Sequence, residues 1–567
     1  MHAPIYTEQR ACQDCYKCVR QCPVKAIEVV NSSAVVNHTY CIFCGKCTLV
    51  CPAGAKKIRC DISRARNLLD TAETTILSLA PSYGAEFSDR SPEELIAEIQ
   101  SLGFFGVSET ALGAEIISDY LQHHPHDFTI STACPPVVEL ITTYLPHLLS
   151  HVSQAMSPLM AHACMLKEQY GPETKVIFAG PCPAKKLEAD REDTAIDLAL
   201  TFSELRELLR TQGESQKKHG GTFIPYGAHN GTRFPLDGGM SEVMKERGDT
   251  RQTLSYSGID HIVETLKKTS AETMPPVFLE LLSCAGGCIN GAGCTTTNTT
   301  ILRELSIIPG RKHPSVPALL HQSPHYSYGT NLPLTSPFFY PHEITTVLRD
   351  IGKYSAEDEI NCAGCGYNSC RDFARACLLG KAETTMCVVH MRRQAEEKND
   401  ALLRTIPLGV VLVDSALRIV ECNAKFMSLF SDIEFSLSHK ELQQLRGKPL
   451  HQLIPCDALF SHLFEKKKKT HEIRQTIHNK IYRIFLFQIN DHRQAGAIFQ
   501  DITSPAVKAE EVIGKTEEVI QKNLSTVQTI ASLLGENAAE TQLMLNSIIE
   551  TFRPSQEGES RGGASFY

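Results

Sequence analysis

A short run of thiols, written twice, constrains this chain more than any other feature. Cys12, Cys15 and Cys18 are followed by Cys22-Pro23, and Cys41, Cys44 and Cys47 by Cys51-Pro52. This is the spacing that ligates a 4Fe–4S cube, and in the doubled form the fourth Cys of each run ligates the other cube. The two halves must therefore interlock about a pseudo-two-fold axis. Zinc competes for C-x-x-C pairs, but it wants two pairs separated by a longer loop rather than three evenly spaced thiols. Residues 1–62 read as a domain holding two 4Fe–4S clusters on Cys12, Cys15, Cys18, Cys22, Cys41, Cys44, Cys47 and Cys51, with electron conduction as its role. Cys60 fits neither run and reads as structural.

The whole chain has 567 residues, which implies three to five domains, and 22 cysteines. No apolar stretch approaches a membrane span and the N-terminus lacks a signal-peptide core, so the expected compartment is the cytoplasm, where disulfides are disfavoured. The net charge of −8 gives no reason to expect nucleic acid as a partner. Sixteen of the cysteines fall into metal-like sets; Cys60, Cys164, Cys294, Cys377, Cys422 and Cys456 are left over.

Three apolar runs each end in a turn bearing sulfur. Phe128-Thr129-Ile130 leads into Thr132-Ala133-Cys134-Pro135-Pro136, and Val176-Ile177-Phe178-Ala179 into Gly180-Pro181-Cys182-Pro183. Val277 to Leu282 leads into Ser283-Cys284-Ala285-Gly286-Gly287-Cys288. Such runs read as buried strands, and ligands of open α/β sheets bind beyond the carboxyl ends of strands. Four thiols could converge there on one metal centre. Unrelated buried cysteines are the bland alternative, and the glycines beside Cys288, which let backbone approach a bulky ligand, speak against it.

These stretches resemble the three signature loops of the iron-only (FeFe) hydrogenases, over roughly residues 75 to 350. The resemblance implies that Cys134, Cys182, Cys284 and Cys288 ligate the cubane of the H-cluster, with Cys288 bridging to its di-iron subsite. It implies that Lys185, with Glu188, faces a cyanide ligand of the di-iron unit. Ala80-Pro81-Ser82, Ser157-Pro158 and Gly238-Gly239-Met240 match further family loops. Departures are equally informative. Ala133 stands where the family has the proton-relay Cys, and the relay glutamate positions fall near Leu121 and His124. Gly180 replaces a methionine, which is expected to leave a gap near the di-iron unit. Loss of a proton relay slows turnover by ~10²–10⁴-fold without abolishing binding, which suits sensing better than bulk catalysis unless Ser131, Thr132 or a water chain substitutes.

The expected fold class is multidomain α+β and α/β. Residues 63–350 alternate strands with helices at 63–71, 91–102, 111–121, 137–149 and 159–170, a predominantly parallel architecture. Within 355–395, Cys362-x2-Cys365-x4-Cys370 and then Cys387 read as a further 4Fe–4S site, with zinc on four thiolates as competitor. The motif resembles one in the sensory branch of the family, where it precedes a PAS domain. Residues 399–503 resemble such a domain, from the strand at 409–414 and the Asn423-Ala424-Lys425-Phe426 turn into a helix; its ligand is unknown. In 504–552, Ile513, Ile520, Val527, Leu534 and Ile548 form one apolar seam at heptad spacing and Leu524, Ala531, Ala538, Leu545 and Phe552 another, a signalling helix that dimerises. Residues 553–567 read as a disordered tail. The implied function is sensing of dihydrogen or redox state, with a ferredoxin-type electron carrier, a phosphatase or kinase in trans and a second copy of the chain as partners. A working ferredoxin-linked hydrogenase and a non-catalytic iron–sulfur scaffold are the alternatives.

Overall fold

The computed structural model describes residues 3–124, 127–211, 220–270, 272, 274–307, 323–329, 337–430, 445–454, 460, 470–478, 480–490 and 494–503. The chain divides into two units, Met1–Val388 and Val389–Tyr567.

In the first unit the cysteine repeat is repeated by the backbone. Asp14 and Tyr16 have positive φ (49° and 52°), and so do their counterparts Phe43 and Gly45 (54° and 79°). Each pair leads into a five-residue helix, Lys17–Gln21 or Lys46–Val50. Lys25 and Gly54 turn left-handed at the matching place, and the next N–H, of Ala26 or Ala55, donates to Cys22 Sγ or Cys51 Sγ at 3.2 Å. Left-handed backbone outside glycine costs about 1–2 kcal/mol per residue; the first half accepts it at Asp14, Tyr16 and Lys25, whereas the second meets the same turns with Phe43 and two glycines. Two antiparallel pairs close the domain, Ile5–Thr7 with Lys56–Ile58 and Ile27–Val30 with Ser33–Val36.

The α/β alternation that follows resolves into two parallel sheets. One has the order Gly106–Glu109, Thr75–Leu79, Lys175–Gly180, Leu198–Thr201; the other Gln252–Ser257, Val277–Leu282, Phe128–Ile130. Most of these strands are buried along their whole length, which is why they read as unbroken apolar runs. Helices form at Ile62–Thr71, Pro92–Ser101, Ala111–His123 and Pro158–Tyr170. The helix expected over 137–149 stops at Tyr144, because Pro146 cannot continue it, and a 3₁₀ turn covers Pro146–His151. Gly113 lets two of these helices touch: a Cβ there would lie 1.9 Å from the Pro158 carbonyl oxygen. His162, on the last of these helices, is fully buried, with Nδ1 2.8 Å from Ser78 Oγ and Nε2 2.8 Å from Ser108 Oγ.

The third cysteine motif is carried by a loop with positive φ at Asn361 and Ala363, then the helix Cys370–Leu378, capped by Ser369. This segment joins the N-terminal domain through the bond from Val29 N–H to Lys381 O, 2.9 Å.

The second unit holds a five-stranded antiparallel sheet in the order Ile419–Cys422, Gly409–Asp414, Gln494–Asp501, Lys480–Asn490, Thr470–Ile477. Asn423 explains its own motif. Its Oδ1 accepts from Val410 N–H at 2.9 Å and Phe426 N–H at 2.8 Å, and its Nδ2 donates to Leu408 O at 2.8 Å. One buried amide thus ties the first strand to the helix Ala424–Phe430, whose Phe426 and Phe430 pack on Tyr482 and Phe499. The heptad seams and the tail lie outside the described residues, as does Cys456.

Candidate metal centre

Three strand ends supply the four central thiols. Cys134 follows Phe128–Ile130 and caps the helix Pro135–Tyr144; Cys284 and Cys288 follow Val277–Leu282, the neighbouring parallel strand. Cys182 follows Lys175–Gly180 of the other sheet. The loops then interlock. Ser283 N–H donates to Cys134 Sγ at 3.3 Å, Cys288 N–H to Pro235 O at 2.7 Å and Gly293 N–H to Pro181 O at 2.7 Å. Glycine is required here: a Cβ on Gly287 (φ +92°) would lie 2.2 Å from Pro235 O, and one on Gly291 2.5 Å from Pro181 O.

The thiols also share one electrostatic environment. Burial pushes Cys134 up to about 12, with the Cys182 charge adding to it. Cys284 is driven well above the usual thiol range by burial and then by Cys288, Cys182 and Cys134. Cys288 is raised by burial, with Cys134 and Cys182 as the nearest like charges. Lys185 opposes these shifts at Cys134, Cys182 and Cys288. Its Nζ donates to Glu188 at 2.6 Å, and Glu188 also accepts from Ser157 Oγ. Buried thiolates without a counter-charge are costly. Four converging sulfurs, a single lysine beside them and a glycine-lined loop therefore suit a cationic iron–sulfur cube.

The flanks differ from the sequence expectation in one respect. Gly180 leaves no gap beside it, because the Phe178 ring would meet a Cβ there at 2.2 Å and Ala80 closes the other side at 3.0 Å. At the relay position Ala133 carries no proton. Ser131 Oγ lies 3.3 Å from Met240 Sδ, and Thr132 Oγ1 lies 3.2 Å from Ala155 O and 3.4 Å from Met156 O. Leu121 is buried, and His124 is exposed with Nδ1 2.9 Å from Tyr120 O. Glu115, on the same helix, is buried and accepts from His229 N–H at 2.5 Å and Gly231 N–H at 3.1 Å.

The N-terminal thiols feel one another across the two runs. Cys18 feels Cys12 and Cys51, while Cys44 feels Cys22 and Cys41, each after the dominant effect of burial. In the third motif Cys365 lies among Cys387 and Cys362, and Cys370 is buried at its helix start. Cys377, a spare in the sequence reading, joins them: burial, then Cys365 and Cys387, raise it to about 12. Among the described residues no three His, Cys, Asp or Glu side chains are arranged to hold a single metal ion.

Two buried groups escaped the sequence reading. Lys186, wholly buried, places Nζ 2.8 Å from both Asp61 and Glu204, which ties the Cys182 loop to the end of the N-terminal domain. Glu280 receives Met240 N–H at 3.2 Å and Ser241 N–H at 2.8 Å, and burial raises its pKa. A carboxylate inside the apolar run Val-Phe-Leu-Glu-Leu-Leu was the available signal.

Residues 70–292 match the family described as iron only hydrogenase large subunit, C-terminal domain. Residues 4–52 match a 4Fe–4S dicluster domain and residues 358–389 a putative Fe–S cluster family. The chain is 22% identical over 343 residues to Iron hydrogenase 1 of Clostridium pasteurianum, covering 49% of this chain and 59% of that protein. It is 22% identical over 308 residues to the nuclear prelamin A recognition factor of Homo sapiens, covering 42% and 66%. It thus spans less than two thirds of the length of either relative. Among solved structures, the FeFe-hydrogenase HydA1 of Chlamydomonas reinhardtii is matched at 16% identity and a TM-score of 0.38, over 48% of this chain and 99% of that one. No helix among the described residues is long and apolar enough to cross a membrane.

Proposed function

With residues 70–292 carrying an iron-only hydrogenase domain beside two iron–sulfur domains, we propose that this hydrogenase-like iron–sulfur protein is a sensor of dihydrogen or redox state rather than a bulk catalyst. Cys134, Cys182, Cys284 and Cys288 would hold the cubane, and Cys288 would bridge to the di-iron subsite. That group, when bound, supplies reversible cleavage of dihydrogen into protons and electrons. Lys185, held by Glu188 at 2.6 Å, offers an ammonium to an anionic ligand of the subsite. Ser157 fixes Glu188 from behind. Ala133 neither takes nor gives a proton, so exchange with solvent is slowed where a relay would begin. The observation that carries the reading is this pairing, a complete thiol and lysine set next to a missing proton carrier.

Electrons would pass along the N-terminal clusters to a ferredoxin-type carrier, and the Cys362–Cys387 site would inform the PAS-like unit. That unit, paired with a second copy through its C-terminal helix, would signal to a phosphatase or kinase in trans. Infrared spectra of protein matured with the di-iron assembly machinery, together with a dihydrogen oxidation assay, test the reading. Carbonyl and cyanide bands with feeble turnover are expected; vigorous turnover would make it a working hydrogenase. Absent bands would favour a second reading, an iron–sulfur scaffold without the di-iron unit.

A further inference from the structure

The first unit packs its thiol sets in an order, given that Cys362–Cys387 is a cluster site as proposed above. One continuous apolar cluster takes in Val19 and thiols of both N-terminal cubes, Cys12 and Cys18 as well as Cys22, Cys41 and Cys47, together with Cys365, Cys370 and Cys387 of the third motif, so the place of Lys25 between Cys22 and Gly366 distinguishes the two cubes. Gly366 is pressed against the N-terminal domain, since a Cβ there would lie 3.1 Å from Val19 Cγ1 and 3.2 Å from Arg20 N. Ser32 N–H donates to Glu383 at 3.2 Å and fastens the same seam. Lys25 lies in it, half-buried, with Nζ donating to Val19 O at 3.3 Å and Arg20 O at 3.2 Å. After burial, its ammonium feels the charges of Cys22, Asp260 and Cys365, and Tyr367 those of Cys377, Cys365 and Cys22.

The same thiol set also meets the central site, whose Cys182 and Ala184 share the apolar cluster. A Cβ on Gly45 would lie 2.5 Å from Ala292 Cβ and 3.1 Å from Pro183 Cγ, so the Cys44 loop sits on the residues flanking Cys288 and Cys182. Cys44 is also among the charges that Cys284 feels. By the exchange between runs, Cys22, Cys41, Cys44 and Cys47 serve one cube, and Cys12, Cys15, Cys18 and Cys51 the other.

We infer that the Cys22–Cys41–Cys44–Cys47 cube is the junction of the electron path, joined to the central site across Gly45 and to the Cys362–Cys387 site across Lys25. The other cube, whose Cys15 is exposed, is the branch toward an external carrier. Cubes held by these thiols would exchange one electron across the Lys25 seam, one being oxidised as the other is reduced, with no bond made or broken. A cation between two cubes stabilises the reduced form of each, so Lys25 sets both potentials together.

The test is a dithionite-poised EPR titration of the full chain, reconstituted with iron and sulfide. Signals are assigned by their loss in Cys41→Ser, Cys15→Ser and Cys365→Ser. In Lys25→Met the junction and Cys365 signals should both move to lower potential and the Cys15 signal should stay; Lys25→Arg should restore both. With every cube reduced, spin–spin broadening of the Cys365 signal should vanish in Cys41→Ser and survive in Cys15→Ser. Broadening that disappears in Cys15→Ser instead, or a shift of only one potential in Lys25→Met, would overturn the junction. If Cys365→Ser removes no iron, the cluster reading beneath it falls, and the inference with it.

Discussion

The two-cube domain and the four-thiol centre gather sulfur at opposite ranges of sequence. In the first, the thiols sit in turns and short helices whose shape is set by their own neighbours, made twice with the same left-handed positions. In the second, Cys134, Cys182, Cys284 and Cys288 meet only because two parallel sheets bring their strand ends together and glycines let the loops touch. The local set should tolerate damage elsewhere in the fold. The long-range set should fail whenever one loop loses its seat.

The largest expected contrast comes from the ligands. Cys284→Ser should abolish the carbonyl and cyanide infrared bands of matured protein while the EPR signals of the N-terminal clusters persist; loss of both together would deny the two regions their independence. Next comes the missing proton carrier. Ala133→Cys should raise dihydrogen oxidation by ~10²–10⁴-fold, and unchanged turnover would remove the relay from the account.

A glycine pair sharpens the comparison further. Gly287 has φ 92° and ψ −177°, a region open essentially to glycine alone, and a Cβ there would run into Pro235 O. Gly287→Ala should cost about 3 kcal/mol in denaturant unfolding. Gly54 (φ +60°) has open space where a Cβ would sit, so Gly54→Ala should cost only about 1–2 kcal/mol. Equal losses would contradict the distinction between a locally built and a remotely built site.

The smallest effect is a pH dependence confined to the scaffold of the centre. Burial pushes His162 down to about 3, below its unfolded value, so it is neutral in the fold. Its contribution is complete above about pH 6.5 and is lost as pH falls toward 3, because the unfolded chain takes up the proton first, at up to about 1.4 kcal/mol per pH unit. Denaturant midpoints of His162→Gln should fall less steeply between pH 6.5 and 4.5 than those of the parent; identical slopes would refute this.

Much of this was legible because ligand spacing is local information. The eight N-terminal thiols, the strand runs before Cys134, Cys182 and Cys284, and the Asn423 turn all announce themselves within a few residues. Lys186 and Lys25 did not, since a lysine is buried only by what packs on it from elsewhere, here Asp61 and Glu204 or the seam with Gly366. The gap expected at Gly180 failed for a different reason: the filling ring belongs to Phe178, two residues back on the same strand, and the sequence does not show where that ring points.

The central claim is that four sulfurs from three loops bind one iron cofactor, and iron-edge anomalous diffraction from crystals of the matured protein tests it most directly. The account predicts iron density bonded to Cys134, Cys182, Cys284 and Cys288 alike, with further iron beyond Cys288. Iron bonded to fewer than all four, or none among them, would contradict it.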